Sequence, residues 1–189
     1  MLAATSLVRH FSRMKFLCTL GAIMLAPMML AAPWKMHIID NTSRGADGVR
    51  LKDVNKDELP DIATGWEEGG VIRTYLNPGP KKVKQPWPHT EVGQVKSPED
   101  AIFTDLDGDG DIDVVSCCEG RTRTVYFHWS PAYDPQREIL PWRTAAVPAT
   151  AGKQSWMFAL PLQVDGGGMD LVLGSKGGGA TIGWLQSPK

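Results

Sequence analysis

Cysteine is scarce in this sequence, and neither sign of charge dominates it. The 189 residues include three cysteines, and Cys117 and Cys118 are the two that follow the N-terminal segment. Neighbouring side chains on a strand point to opposite faces. We therefore expect buried or half-buried free thiols, with a strained vicinal disulfide or metal or redox chemistry as the alternatives, and no disulfide framework. The 20 basic and 21 acidic residues include only one short basic run, at residues 81–84, which predicts no nucleic-acid partner.

Sequence motifs of catalysis are also missing. The glycine clusters at 166–168 and 177–179 lack the G-K-[ST] of a phosphate loop, and no serine lies in a nucleophile-elbow motif. His37, His89 and His128 are the histidines that follow the N-terminal segment, and packing is their default role. We therefore predict no catalytic residues.

The N-terminal segment, residues 1–32, has the three regions of a signal peptide. The basic residues Arg9, Arg13 and Lys15 precede an apolar run from Phe16 to Leu30, and the small residues Ala31-Ala32 follow it. The segment contains no acidic residue. Met14 is a possible true start. The run is shorter than the about 20 residues that span a bilayer, so we favour a cleaved signal over a retained anchor. The mature protein is then secreted, periplasmic or at the cell surface, with no membrane association.

Five aspartates at alternate positions, residues 105–113, form the most informative segment. Asp105, Asp107, Asp109 and Asp113 occupy positions 1, 3, 5 and 9 of a calcium loop, and Asp111 offers its backbone carbonyl at position 7. Position 12 is Ser116 rather than the glutamate of an EF-hand. The apolar residues on both sides predict a loop that joins two strands. Ca²⁺ is the predicted cofactor.

The same pattern occurs in three units with a period of about 54 residues. Pro-Trp pairs at 33, 86 and 141 open the units, and Asn-Pro or Ser-Pro pairs at 77, 130 and 187 close them. The predicted domains are residues 33–80, 86–132 and 141–189, with linkers at 81–85 and 133–140. Several short strands in each unit predict an all-β protein of propeller blades.

The other two units keep the loop in weaker form. Asp53, Asn55, Asp57 and Asp61 are the predicted ligands in the first, where Glu58 replaces the loop glycine. In the third unit, Leu162 and Val164 align with the first two ligand positions. We expect the second unit to bind calcium more tightly than the first, and the third to bind none.

In each unit the loop leads into an apolar strand, and a glycine-bearing hairpin and a closing strand follow. This order of features resembles FG-GAP/VCBS-type repeats. The resemblance implies blades of an integrin-α-like β-propeller and structural calcium, and covers about residues 34–188. Family propellers need roughly four to eight blades, so three units predict a partial propeller. The outer faces of the first and third blades would be apolar and unpartnered, which favours self-association that completes the ring.

The sequence therefore indicates an exported calcium-binding β-propeller repeat protein, acting as a binding, adhesion or scaffold module for an extracellular protein or carbohydrate. The alternatives are a propeller fragment of an extracellular polysaccharide-active enzyme and a truncated repeat protein without independent function. The seven tryptophans recur at repeat positions, which favours packing. Trp66, predicted at a turn, is the best candidate for sugar stacking.

Overall fold

A computed structural model describes residues 33–131 and 141–188. The predicted signal peptide, residues 1–32, and the linker 133–140 lie outside the described residues. The strands lie in a unit that begins at Met36. Within the described ranges, no helix is long and apolar enough to cross a membrane.

In the part of the chain that the structure describes, eleven strands form three antiparallel sheets, each with its strands in chain order. The first sheet contains β1 (Ala46–Lys52), β2 (Asp61–Trp66), β3 (Val71–Tyr75) and β4 (His89–Gln94). The second contains β5 (Pro98–Thr104), β6 (Asp113–Cys118), β7 (Val125–Trp129) and β8 (Arg143–Ala146). The third contains β9 (Ser155–Leu162), β10 (Asp170–Lys176) and β11 (Ile182–Leu185). The fold is all-β, with propeller-like blades, as predicted.

The sheets differ in phase from the sequence units. β4 follows the Pro86-Trp87 pair but belongs to the first sheet, and β8 follows Pro141-Trp142 but belongs to the second. The predicted units 86–132 and 141–189 therefore begin one strand before their sheets, and the predicted unit 33–80 lacks the last strand of its sheet. A repeating sequence has no intrinsic starting point, and strand pairing decides where each sheet begins.

Strands β5 and β6 of the second sheet are buried on both faces. Ala101, Phe103 and Val114 pack toward the first sheet, in a cluster with Ile72 and Val92. The alternate residues Ile102, Val115 and Cys117 pack toward the third sheet, in a cluster with Trp156, Ala159, Leu171 and Leu173. Because successive side chains of a strand face opposite ways, a strand between two apolar layers is apolar throughout. This explains the fully buried β6.

The outer face of the first sheet is partly covered by the chain itself, contrary to our expectation. Ile39 and Val83 pack against buried Ile62, Tyr75 and Trp87. Asp40 accepts hydrogen bonds from Arg73 Nη1 and Tyr75 Oη, each at 2.8 Å. Burial alone would raise the pKa of Asp40, but these donors and Thr42 hold it well below its usual range. The segment that precedes β1 therefore closes part of this face.

The outer face of the third sheet is exposed, as predicted. Strand pairing places Phe158 and Leu160 of β9 on the same face as Ile182 and Trp184 of β11. Each of these four side chains is exposed. An apolar face of this kind is typical of an interaction surface.

Two smaller sequence predictions have clear outcomes. Cys117 and Cys118 are buried free thiols, as expected, and they belong to apolar clusters on opposite faces of β6. The sugar-stacking interpretation of Trp66 was wrong. Trp66 ends strand β2, is 6% exposed, and donates its Nε1–H to Tyr75 Oη at 3.0 Å.

Candidate metal centre

Each sheet has an Asp-containing loop between its first two strands. The loops join β1 to β2, β5 to β6 and β9 to β10, and the last aspartate of each is the first residue of the second strand. The predicted strands on either side of the Asp105–Asp113 loop are therefore confirmed. The sites implied by the three units occupy equivalent places in the three sheets.

The second loop brings three of its predicted ligands together. Asp105, Asp107 and Asp109 each place one carboxylate oxygen within 4.8 Å of those of the other two. Asp105 accepts the N–H groups of Gly108 at 2.7 Å and Gly110 at 3.1 Å. These backbone bonds fix the carboxylates before any ion binds.

The carboxylates of Asp111 and Asp113 do not belong to that group. Within the group, one oxygen of Asp107 and one of Asp109 accept backbone N–H groups of the loop. The Asp111 N–H donates to Asp109 Oδ1 at 2.8 Å, and the Asp109 N–H donates to Asp107 Oδ1 at 3.3 Å. Oδ2 of Asp107 and Oδ2 of Asp109 accept no hydrogen bond from the described residues. They are the atoms available to a cation.

The first loop repeats this arrangement. Asp53 Oδ2 accepts the Glu58 N–H at 2.9 Å, as Asp105 Oδ2 accepts that of Gly110. Asn55 Oδ1 accepts the Asp57 N–H at 3.1 Å, and Asp57 Oδ1 accepts the next-but-one N–H at 2.9 Å. These three bonds have counterparts in the second loop, but Asp53 Oδ1 accepts the Asp57 N–H at 3.2 Å, four residues on, where Asp105 Oδ1 accepts an N–H three residues on.

Backbone strain distinguishes the two loops. Gly108 and Gly110 have φ of 79° and 92°, whereas Lys56 and Glu58 occupy the equivalent positions with φ of 62° and 67°. A non-glycine residue in this region carries a steric cost of about 1 kcal/mol. This strain supports the expectation of a weaker site in the first loop.

The last aspartate of each loop ties the loop to the end of the sheet's third strand. Asp113 Oδ2 accepts the Leu106 N–H at 3.1 Å, and Asp113 Oδ1 accepts the Ser130 N–H at 2.8 Å. Asp61 makes the same two bonds, to the N–H groups of Val54 and Asn77. Burial raises the pKa of Asp113 above its usual range despite its donors. Asp61 and Asp113, the predicted position-9 ligands, are therefore buried side chains that hold the loop to the third strand, and we call each of them the brace of its loop. They also remain candidate ligands.

The third loop has the same brace and a different register from the one predicted. Asp170 accepts the N–H groups of Val164 at 2.9 Å and Ser187 at 2.8 Å. Val164 thus corresponds to Leu106, so Gln163 and Asp165, rather than Leu162 and Val164, occupy the first two ligand positions. The loop is one residue shorter, and its register is revealed by the backbone N–H groups that donate to the Asp170 carboxylate, not by sequence spacing.

The donor set of the second loop suits a hard cation. Ca²⁺ takes six to eight oxygen ligands from flexible carboxylates, carbonyls and water. Exposed Asp107 and Asp109 leave room for water, and Asp105 closes the group on the protein side. The third loop offers one carboxylate, Asp165, besides its brace Asp170, and its expected lack of an ion stays a prediction.

A cleft of about 860 Å³ lies beside the second loop, between the second and third sheets. Asp105 and Asp107 line it together with Phe127, Trp129 and Leu171. Arg143 stacks over the Trp129 ring with its guanidinium carbon 5.3 Å from the ring centroid. The cleft thus combines apolar walls with the carboxylates of the candidate metal centre.

Sequence reasoning missed two buried polar centres. His128 contacts Ser116 Oγ at 2.8 Å through Nε2 and Thr144 Oγ1 at 2.9 Å through Nδ1. Asp100 forms a bidentate salt bridge with Arg50 of the first sheet. Neither residue pair lies close in the sequence, so no local motif signals it.

Three stacked antiparallel sheets, with an equivalent Asp-containing loop in each, define an all-β repeat protein with propeller-like blades. A family model for FG-GAP-like repeats matches residues 53–116, from the first loop to β6. This part of the chain is an FG-GAP-type repeat region, in agreement with the predicted resemblance. No curated protein and no solved structure shows a significant match.

Proposed function

We propose that the chain is an exported calcium-binding propeller module that binds an extracellular protein or carbohydrate. The observation that carries this proposal is the shared hydrogen-bond scheme of the first two loops. In the second loop, these hydrogen bonds accompany three carboxylates that lie close together. Oδ2 of Asp107 and Oδ2 of Asp109 accept no hydrogen bond there from the described residues. Repeats of this family are generally not catalytic, which favours binding over a polysaccharide-active enzyme.

Calcium would act mainly on structure. Asp105, Asp107 and Asp109 would hold one ion, and Asp53, Asn55 and Asp57 a second and weaker one. Asp111 would add its backbone carbonyl. Asp61 and Asp113 would hold the two loops to the ends of β3 and β7. When bound, the ion neutralises the clustered charge and locks the turn between the strands.

The cleft beside the second loop is the proposed ligand surface. Phe127 and Trp129 form an edge-to-face pair with ring centroids 5.7 Å apart, and they line the same cleft as Asp105 and Asp107 of the candidate metal centre. Aromatic side chains beside oxygen ligands suit a molecule that has both an apolar face and hydroxyl groups. A carbohydrate meets both requirements, so it is the favoured ligand class.

Calorimetric titration of calcium tests the metal assignment. Asp109→Ala should abolish the tighter binding event, and Asp57→Ala the weaker one, because each removes a converging carboxylate. Glu68→Gln changes an exposed acid elsewhere and should bind as wild type does. At a calcium concentration 100 times the dissociation constant, a site adds about 2.7 kcal/mol to stability. Absence of calcium heat in wild type would reject the assignment.

Two further experiments test export and ligand binding. Protein recovered outside the cytoplasm should begin near Pro33 when its N-terminus is sequenced, and an intact residue 14–32 segment in soluble cytoplasmic protein would reject the signal. A polysaccharide panel should show calcium-dependent binding that Trp129→Ala weakens. Reproducible cleavage of a polysaccharide would instead support the enzyme alternative.

A further inference from the structure

The first two sheets each take their fourth strand from the sequence unit that follows. β4 comes directly after the Pro-Trp pair at 86 and pairs with β3, and β8 comes directly after the pair at 141 and pairs with β7. The third sheet consists of β9, β10 and β11, so the outer edge of β11 has no strand beside it in the described part of the chain. An open edge offers unpaired backbone N–H and C=O groups to an added strand.

The Pro-Trp pair at 33 is also followed by a segment with the pattern of a strand. Apolar and polar residues alternate from Trp34 to Ile38, where Lys35 and His37 lie between apolar neighbours. Strict alternation of this kind is typical of a half-buried strand. In the structure, however, residues 34–38 form no strand, and Met36 and Ile38 are 88% and 50% exposed.

The residue that follows this segment packs as its counterparts in the other two units do. An aliphatic residue lies six positions after the proline of each Pro-Trp pair: Ile39, Val92 and Val147. Val92 packs between the first and second sheets, Val147 packs between the second and third, and Ile39 packs on the outer face of the first sheet. Residues 36–38 therefore correspond to the fourth strands β4 and β8, but they have no sheet to join.

The segment cannot reach the edge of β11 in its own chain. The Trp87 N–H donates to the Ile39 carbonyl at 2.9 Å, which holds Ile39 at the first sheet. The three residues before Ile39 extend at most about 11 Å. The second sheet lies between the first and the third, so the third is two sheet spacings of about 10 Å away.

The two existing fourth strands pair in one common register. His89 of β4 pairs with Tyr75, and Thr144 of β8 pairs with His128. In both cases the first residue lies three positions after the proline of its Pro-Trp pair, and the second lies two positions before the closing Asn-Pro or Ser-Pro. The same rule assigns a register to residues 36–38 on the third sheet.

We propose that residues 36–38 of one copy of the chain add as a fourth strand to the open edge of β11 in a second copy. This pairing uses the backbone edge of β11 and is distinct from contact between exposed apolar sheet faces. It depends neither on calcium nor on a carbohydrate ligand. The common register gives three partner pairs across the two copies: Met36 with Leu185, His37 with Trp184, and Ile38 with Gly183.

This register matches the side chains on the two faces of the third sheet. Leu185 packs toward the second sheet, and paired side chains share a face, so Met36 and Ile38 would lie beside Leu185 on that side. The space around Gly183 is open and leaves room for Ile38. His37 would lie beside exposed Trp184 on the opposite, outer face. The apolar residues of the segment would thus gain cover while its histidine stays at the surface.

Disulfide trapping between two copies tests the proposal. Full chains that carry His37→Cys and Trp184→Cys separately are co-expressed in a Cys18→Ser background, in which Cys117 and Cys118 are buried. Mild oxidation should link the two different chains. The matched control replaces Trp184→Cys with Gly183→Cys, whose side chain points to the opposite face, so it should give about tenfold less of the mixed disulfide.

A competing peptide separates strand addition from random collision of an exposed segment. A synthetic peptide of residues 34–40 should occupy the edge of β11 and lower the yield of the mixed disulfide, whereas a scrambled peptide should not. Equal yields from the matched and control pairs, or a yield that the peptide leaves unchanged, would overturn the proposal. A single chain with both His37→Cys and Trp184→Cys that closes its disulfide within a monomer would also overturn it.

Discussion

The Arg50–Asp100 pair is the point at which all three sheets are linked, and breaking it should be costly. Arg50 Nε and Nη2 donate to the two oxygens of Asp100 at 2.8 and 2.9 Å. The Ala159 N–H of the third sheet donates to the same carboxylate at 3.3 Å. The Asp100 side chain is 2% exposed and that of Arg50 is 37% exposed.

The magnitude follows from what each substitution leaves behind. Removing one partner of a buried pair costs about 3–5 kcal/mol. In Asp100→Ala the half-exposed guanidinium of Arg50 can rehydrate, so we expect the lower end, about 3 kcal/mol, and an unsatisfied Ala159 N–H. Arg50→Met instead leaves a buried carboxylate without its cation. Burial already raises the pKa of Asp100, and the loss of Arg50 raises it further.

The sign of the pH dependence is therefore fixed for Arg50→Met. The folded chain binds a proton on Asp100 at a higher pH than the unfolded chain does, so stability is lost as pH rises. The loss relative to wild type should be about 3 kcal/mol at pH 7.5 and smaller at pH 5.

Urea unfolding of Asp100→Ala, Arg50→Met and the double variant measures these effects. The double variant should cost less than the sum of the two single ones, because the partners interact directly. Glu91→Gln is the surface control and should stay within about 0.5 kcal/mol of wild type. Additive effects below about 1 kcal/mol each would refute the argument.

Three further predictions concern buried packing and the exposed sheet face. Burial lowers the pKa of His128 to about 4. As the pH falls, this imidazole is therefore protonated at a higher pH in the unfolded chain than in the folded chain. The free energy of unfolding should fall by about 1 kcal/mol from pH 7.5 to pH 5.5, a slope that His128→Gln should lessen in urea titrations. Gly93→Ala would place a Cβ 2.1 Å from His128 Nδ1 and should cost about 1–3 kcal/mol. Gly183→Ala, on β11 with open space around it, is its control and should show no such packing cost. The apolar outer face of the third sheet should drive self-association, which Leu160→Ser should reduce in light scattering. A stable wild-type monomer at micromolar concentration would contradict this.

The sequence by itself determined the local features of the protein. Alternating carboxylates with glycine at positions 108 and 110 dictate a turn in which Asp105, Asp107 and Asp109 accept nearby backbone N–H groups. The apolar run of β6 and the opposite orientation of Cys117 and Cys118 follow from the two-residue period of a strand. These inferences succeeded because the interactions that carry them lie within a few residues of each other.

Only the tertiary structure decided what depends on distant partners. The braces on Asp61 and Asp113 come from N–H groups 16 and 17 residues away, and the pair on Asp100 comes from 50 residues away. Strand pairing set the phase of the sheets and the register of the third loop. Asp47 and Glu99 come close together because the register of strand pairing shifts beside each of them, in two different sheets. No spacing in the chain encodes that convergence, since it is produced by the stacking of one sheet on the next.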